Sequence, residues 1–150
     1  YRDPVETIVS NVNDPPTWLL DQDWRVLASI TGTSPTEVAA MSLEERCARS
    51  IAAFYAKADA LANDRSMLLN YNQLSVPVIS AVLEFFKVSP SAPELEAITR
   101  ATGVYSKNST RPFTADANAK QKLASDLIRE MSARWANEPY QRLEQKRYST

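Results

Sequence analysis

No histidine occurs in these 150 residues, which removes the commonest general base and the commonest zinc ligand together. Cysteine is down to Cys47 alone. Neither an intrachain disulfide nor a thiolate zinc site is available, and the composition leans toward a reducing, cytoplasmic compartment. Gly32 and Gly103 are the only glycines, too few for a Gly-rich phosphate loop or a dinucleotide fingerprint. Charge is almost balanced, 17 Lys and Arg against 18 Asp and Glu, with no long basic run. Nucleic acid is therefore not an expected partner, because affinity for the phosphate backbone needs clustered cations. No apolar run approaches bilayer length and nothing resembles a signal leader, so neither a transmembrane segment nor a secretory signal is expected.

What is present suits one folded unit: a single-domain length, an apolar content of 44% that suffices for a core, no repeat and no low-complexity tract. Tyr1 is not a Met, and YRDP reads like the carboxyl end of a strand whose partners are missing. The expectation is the C-terminal part of a larger domain.

The first ten residues, YRDPVETIVS, hold the most information. Asp3 suits an N-cap, Pro4 the first helical position, and Glu6 the closing position of a capping box. Val5, Ile8, Val9 and Val12 make one apolar stripe, which leaves Glu6, Thr7 and Ser10 on the other face. Arg2 stands before the cap, where its guanidinium can fold over the first turns toward Ser10. A donor fork, a hydroxyl and the positive end of a helix suit a phosphate. The plainer alternative is that Arg2 pairs with Glu6 or Asp3 while Ser10 is merely solvated.

Asp14, Pro15 and Pro16 end that helix. The Trp18 to Leu27 stretch reads as an irregular turn into a short helix near 22–30, its two indoles serving the core rather than an acceptor pocket. Capping patterns at Ser34 and Ser42 start two more helices, the second running from about 43 to 63 with Cys47, Ile51, Phe54, Tyr55, Ala58 and Leu61 on one face. Cys47 in that pattern reads as a buried, inert thiol. Residues 66–71, SMLLNY, are apolar without alternation, as expected of a strand covered on both faces in a parallel sheet. An amphipathic helix over 75–87 and another from Ser91 to Gly103 follow. The polar loop YSKNSTRP from Tyr105 to Pro112 carries Lys107 and Arg111, read either as an anion-binding loop or as two solvated cations. A last helix is expected from Ala115 or Asp116 to about Asn137, ended by Pro139.

Three landmarks in this order resemble the sulfotransferases that use 3′-phosphoadenosine 5′-phosphosulfate (PAPS). An Arg-Asp-Pro turn with a Ser eight residues after the Arg resembles the family's 3′-phosphate-binding segment, which makes Arg2 and Ser10 the matching positions. The apolar run ending in Tyr71 is similar to the segment whose Tyr contacts the nucleotide, although Asn72-Gln73 stand where the family has Glu-Asp. Ser106-Lys107 match a Ser-Lys-Gly-Arg loop that also reaches the 3′-phosphate, with Asn108 in place of Gly and Arg111 later than the family's Arg. The resemblance implies an α/β fold, this chain being the mostly helical C-terminal portion of a P-loop-type parallel-sheet domain. It implies sulfuryl transfer from PAPS to a hydroxyl or amine of a small molecule or glycan, without a metal. The family's 5′-phosphosulfate loop and usual His base match nothing here, so the implied role is to hold the 3′-phosphate and adenosine through Arg2, Ser10, Tyr71 and Lys107, with little activity alone. Two rivals remain: a non-catalytic helical protein-interaction module, marked by an exposed apolar patch without clustered cations, and a P-loop kinase-like protein.

Overall fold

The computed structural model describes residues 1–102, 104–105, 108–112 and 116–149, with side chains described outside 103–115. The expected helix α1 spans Pro4–Asn13, and the Asp3 carboxylate accepts the Glu6 amide at 3.1 Å as its cap. Helices α2 (Thr17–Leu20), α3 (Arg25–Thr31) and α4 (Pro35–Ala40) follow in close succession. Gly32 ends α3 in the left-handed region at φ 69°, where a side chain would be strained. Ser34 and Glu37 cap each other's backbone at the start of α4.

Helix α5, Leu43–Leu61, is the axis of the fold. It packs against α1, α2 and α3 and against the C-terminal helices. Cys47, Ala48, Ile51 and Tyr55 put one face of α5 into a core completed by Ile8, Val9, Leu19, Leu27, Val38, Ile128, Met131 and Leu143. After α5 come an extended stretch, a 3₁₀ turn (Tyr71–Gln73), α6 (Val76–Phe85) and α7 (Ala92–Thr102). The strands β1 (Val104–Tyr105) and β2 (Asn108–Pro112) pair antiparallel, so the segment expected as a loop carries a short hairpin instead. The chain closes with α8 (Ala117–Leu123), α9 (Asp126–Met131), a π-helical turn (Ser132–Ala136) and α10 (Asn137–Gln145).

Two expectations are corrected. The parallel sheet is not formed: among the described residues the strands are the two of that hairpin, and the other regular elements are helices. Met67 to Asn70 are extended but build no ladder. Remote backbone groups meet this stretch at Tyr1, whose terminal ammonium donates to Leu69 O at 2.9 Å and whose carbonyl accepts from Tyr71 N at 2.6 Å, and at Tyr148, whose N–H donates to Leu68 O at 2.9 Å. A short apolar run records that its side chains want cover, not what covers them; here Leu68 packs on the helical core. The single last helix is likewise broken after Leu123 and does not stop at Pro139. Pro139 lies in the first turn of α10, and the π turn ahead of it holds Trp135, whose carbonyl its ring would otherwise strike.

Candidate functional site

The N-terminal segment, α1, α2, the middle of α5 and the 3₁₀ turn meet around one cavity of about 500 Å³. Tyr1 fixes its rim. Its hydroxyl donates to Glu144 Oε1 at 2.7 Å, and its ring stands edge-on to Tyr55 and Tyr140, with centroids 6.2 and 5.9 Å away. Asn70, 1% exposed, donates to Glu144 Oε1 at 2.7 Å and to the Tyr140 hydroxyl at 3.0 Å. The Tyr55 hydroxyl donates to the Arg2 carbonyl. Three distant parts of the chain are thereby locked around residues 1 and 2.

Aromatic side chains dominate the cavity wall: Trp18, Phe54, Tyr55 and Tyr71, backed by Ile51 and Leu74. Thr7 and Asn11, one turn apart on α1, add polar groups. Arg2 supplies the one charged side chain among the described lining residues, with its guanidinium carbon 4.8 Å from the Tyr71 ring centroid. That guanidinium is not free. Its Nε bonds Glu6 Oε2 at 2.8 Å and its Nη2 bonds Asp116 Oδ1 at 2.7 Å, while Asp116 Oδ2 lies 2.8 Å from Lys120 Nζ. Burial opposes the charge on Arg2, but the bonds to both carboxylates outweigh it and hold the group more firmly protonated than usual. Burial also pushes the Asp116 carboxyl up, and Lys120 and Arg2 more than reverse this, leaving it below the ordinary carboxylate range.

Comparison with protein-family models, curated proteins and solved structures returns no match.

Of the residues expected at a nucleotide site, Arg2 and Tyr71 stand together at this cavity although 69 positions separate them. Ser10 lies half-buried on α1 and is not part of the lining. Lys107 and Ser106 lie outside the described residues, and Arg111 is described only as part of β2. The plainer reading of Arg2 held in part: Glu6 is its partner, but the second is Asp116 and not Asp3. Trp18, read as core, is 39% exposed and faces the cavity. Phe54, expected on the same apolar face of α5 as Tyr55, is not in the core. Adjacent helical positions point about 100° apart, so α5 buries Tyr55 and leaves Phe54 52% exposed. Among the described residues no group of three or more potential ligands is arranged to hold a metal ion, and no helix is long and apolar enough to cross a membrane.

Proposed function

We propose that this chain binds the 3′-phosphoadenosine part of PAPS as a sulfotransferase component. The observation that carries the reading is the juxtaposition of Arg2 and Tyr71 at an aromatic cavity of about 500 Å³. A purine ring finds stacking faces in Trp18, Phe54 and Tyr71, and Arg2 offers the 3′-phosphate a planar donor fork. We assign the nucleotide's base and ribose to the ring-lined part. Its phosphate reaches Arg2 by taking the place of one carboxylate, and Asp116 is the more exposed of the two at 40% against 13% for Glu6. When bound, PAPS supplies a sulfuryl group for an acceptor hydroxyl or amine on a small molecule or glycan. The residues named here bind and orient the nucleotide; the reacting sulfur is assigned no catalytic group in this chain.

Calorimetric titration with 3′-phosphoadenosine 5′-phosphate and with adenosine 5′-phosphate tests the reading. The first ligand is expected to bind more tightly. Arg2→Ala removes a charge-assisted contact worth roughly 1.5–3 kcal/mol, so the bisphosphate loses about ten- to a hundredfold in affinity while the monophosphate is unaffected. Equal affinity for the two ligands, or an unchanged bisphosphate titration in Arg2→Ala, overturns the assignment.

A protein-interaction module is the second reading, favoured by apolar side chains around α6. Phe85 and Phe86 pack edge to face at 4.9 Å yet remain 38% and 55% exposed, and Leu74 and Val88 are more than half exposed.

A further inference from the structure

Arg2 and Lys120 approach one carboxylate from two sides. Asp116 Oδ1 is 2.7 Å from Arg2 Nη2 and Asp116 Oδ2 is 2.8 Å from Lys120 Nζ. Both cations are largely withdrawn from solvent, with side-chain exposures of 22% and 16%. Lys120 lies one helical turn beyond Asp116 and Arg2 lies 114 positions before it, and two cations that share this one acceptor form an anion site already filled from within. The charge count agrees. Arg2 and Lys120 are balanced by Glu6 and Asp116, so the cluster is neutral with Asp116 in place and carries one net positive charge without it.

The geometry points to Asp116 as an internal anion latch: its carboxylate occupies a two-cation site, Arg2 with Lys120, whose external ligand is a phosphate monoester dianion. Charge-assisted bonds from a guanidinium and an ammonium suit phosphate oxygens as well as they suit a carboxylate, and a dianion satisfies more of the available donors. Asp116 therefore sets a threshold. A ligand enters only by displacing it, which lowers affinity for small anions and reserves the site for a phosphate carried on a group that also fills the ring-lined cavity. Lys120 was assigned nothing by the sequence and here becomes the second phosphate contact. The inference builds on the nucleotide reading by naming its anion subsite, and the experiment below separates the two.

Inorganic phosphate is titrated by calorimetry into the wild-type chain, Asp116→Asn, Asp116→Ser, and Asp116→Asn combined with Lys120→Gln. The Asp116 side chain bonds no backbone amide at the start of α8, and Asn and Ser are both accepted there. The two variants give independent tests once thermal melts establish folding. At least tenfold tighter phosphate binding in both single variants is expected, with the gain lost in the double variant. Affinity within twofold of wild type in the folded single variants overturns the latch, as does a gain that survives Lys120→Gln. A phosphate gain without 3′-phosphoadenosine 5′-phosphate binding to any variant leaves the latch standing and overturns the nucleotide reading. Bisphosphate binding to wild type that is not tightened by Asp116→Asn does the reverse.

Discussion

Removing the amide of Asn70 tests whether the cavity is held by a buried polar network or only by packing. Asn70 is 1% exposed, and its Nδ2 donates to the Glu144 carboxylate at 2.7 Å and to the Tyr140 hydroxyl at 3.0 Å. In Asn70→Leu, close in size but apolar, the charge-assisted bond costs about 1.5–3 kcal/mol and the neutral one about 0.5–1.5 kcal/mol. Glu144 keeps the Tyr1 hydroxyl at 2.7 Å, which limits the desolvation left unanswered. The expected loss is roughly 3 kcal/mol, a large share of the stability of a domain. For a chain of this length it lowers the thermal midpoint by about 6–12 °C, read by circular dichroism. Asn70→Asp gives a second reading, because it sets two carboxylates against each other. Its deficit should be larger than that of the Leu variant at neutral pH and shrink on mild acidification, as one proton comes to be shared. A midpoint within about 2 °C of wild type for Asn70→Leu, or an Asn70→Asp deficit indifferent to pH, refutes the reasoning.

Further expectations follow from burial and charge. Burial pushes the Tyr55 and Tyr140 hydroxyls up to about 12. A folded value above the unfolded one of about 10 means stability present below pH 10 and lost between about pH 10 and 12. Tyrosinate absorbance should therefore rise for these two together with unfolding and not before it. At the acid end, burial raises Glu144, but bonds from Asn70 and Tyr1 outweigh it and leave the carboxyl below its ordinary value. Its contribution is present above about pH 4.3 and fades as pH falls further, so Glu144→Gln should flatten the melting curve's decline below pH 4.3. Cys47 is fully buried, with its thiol pushed up to about 11 chiefly by burial. Its reaction with a disulfide reagent at pH 8 should track unfolding, and a rapid stoichiometric burst would contradict that placement.

Helix starts were legible because they are local. Asp3, Ser34 and Ser42 each cap the helix their sequence announced, and Pro at the first position of α1 and α4 adds to the signal. The apolar stripe of α1 likewise identified Ile8 and Val9 as core. What failed depends on contacts remote in sequence or on backbone geometry that residue type does not announce. In the apolar run at Met67–Leu69, Leu68 packs on a helical core, and no spacing within the run distinguishes that from cover by neighbouring strands. Pro139 was read as a stop because the π turn that accommodates it is a property of the preceding turn's geometry. At the site, Arg2 and Tyr71 each stood out by residue type, whereas Asp116, Lys120, Phe54 and Asn70 gain their roles only from folding. Asp116 is 114 positions from the guanidinium it binds, and no periodicity carries across such a distance.

We propose that the ring-lined cavity takes a 3′-phosphoadenosine group. The most direct measurement is photolabelling with 8-azido-3′-phosphoadenosine 5′-phosphate, followed by mapping of the modified peptides. Labels on peptides containing Trp18, Phe54 or Tyr71, suppressed by excess unlabelled bisphosphate and weakened in Arg2→Ala, are predicted. Specific labelling confined to peptides remote from these residues, or none that the bisphosphate suppresses, contradicts it.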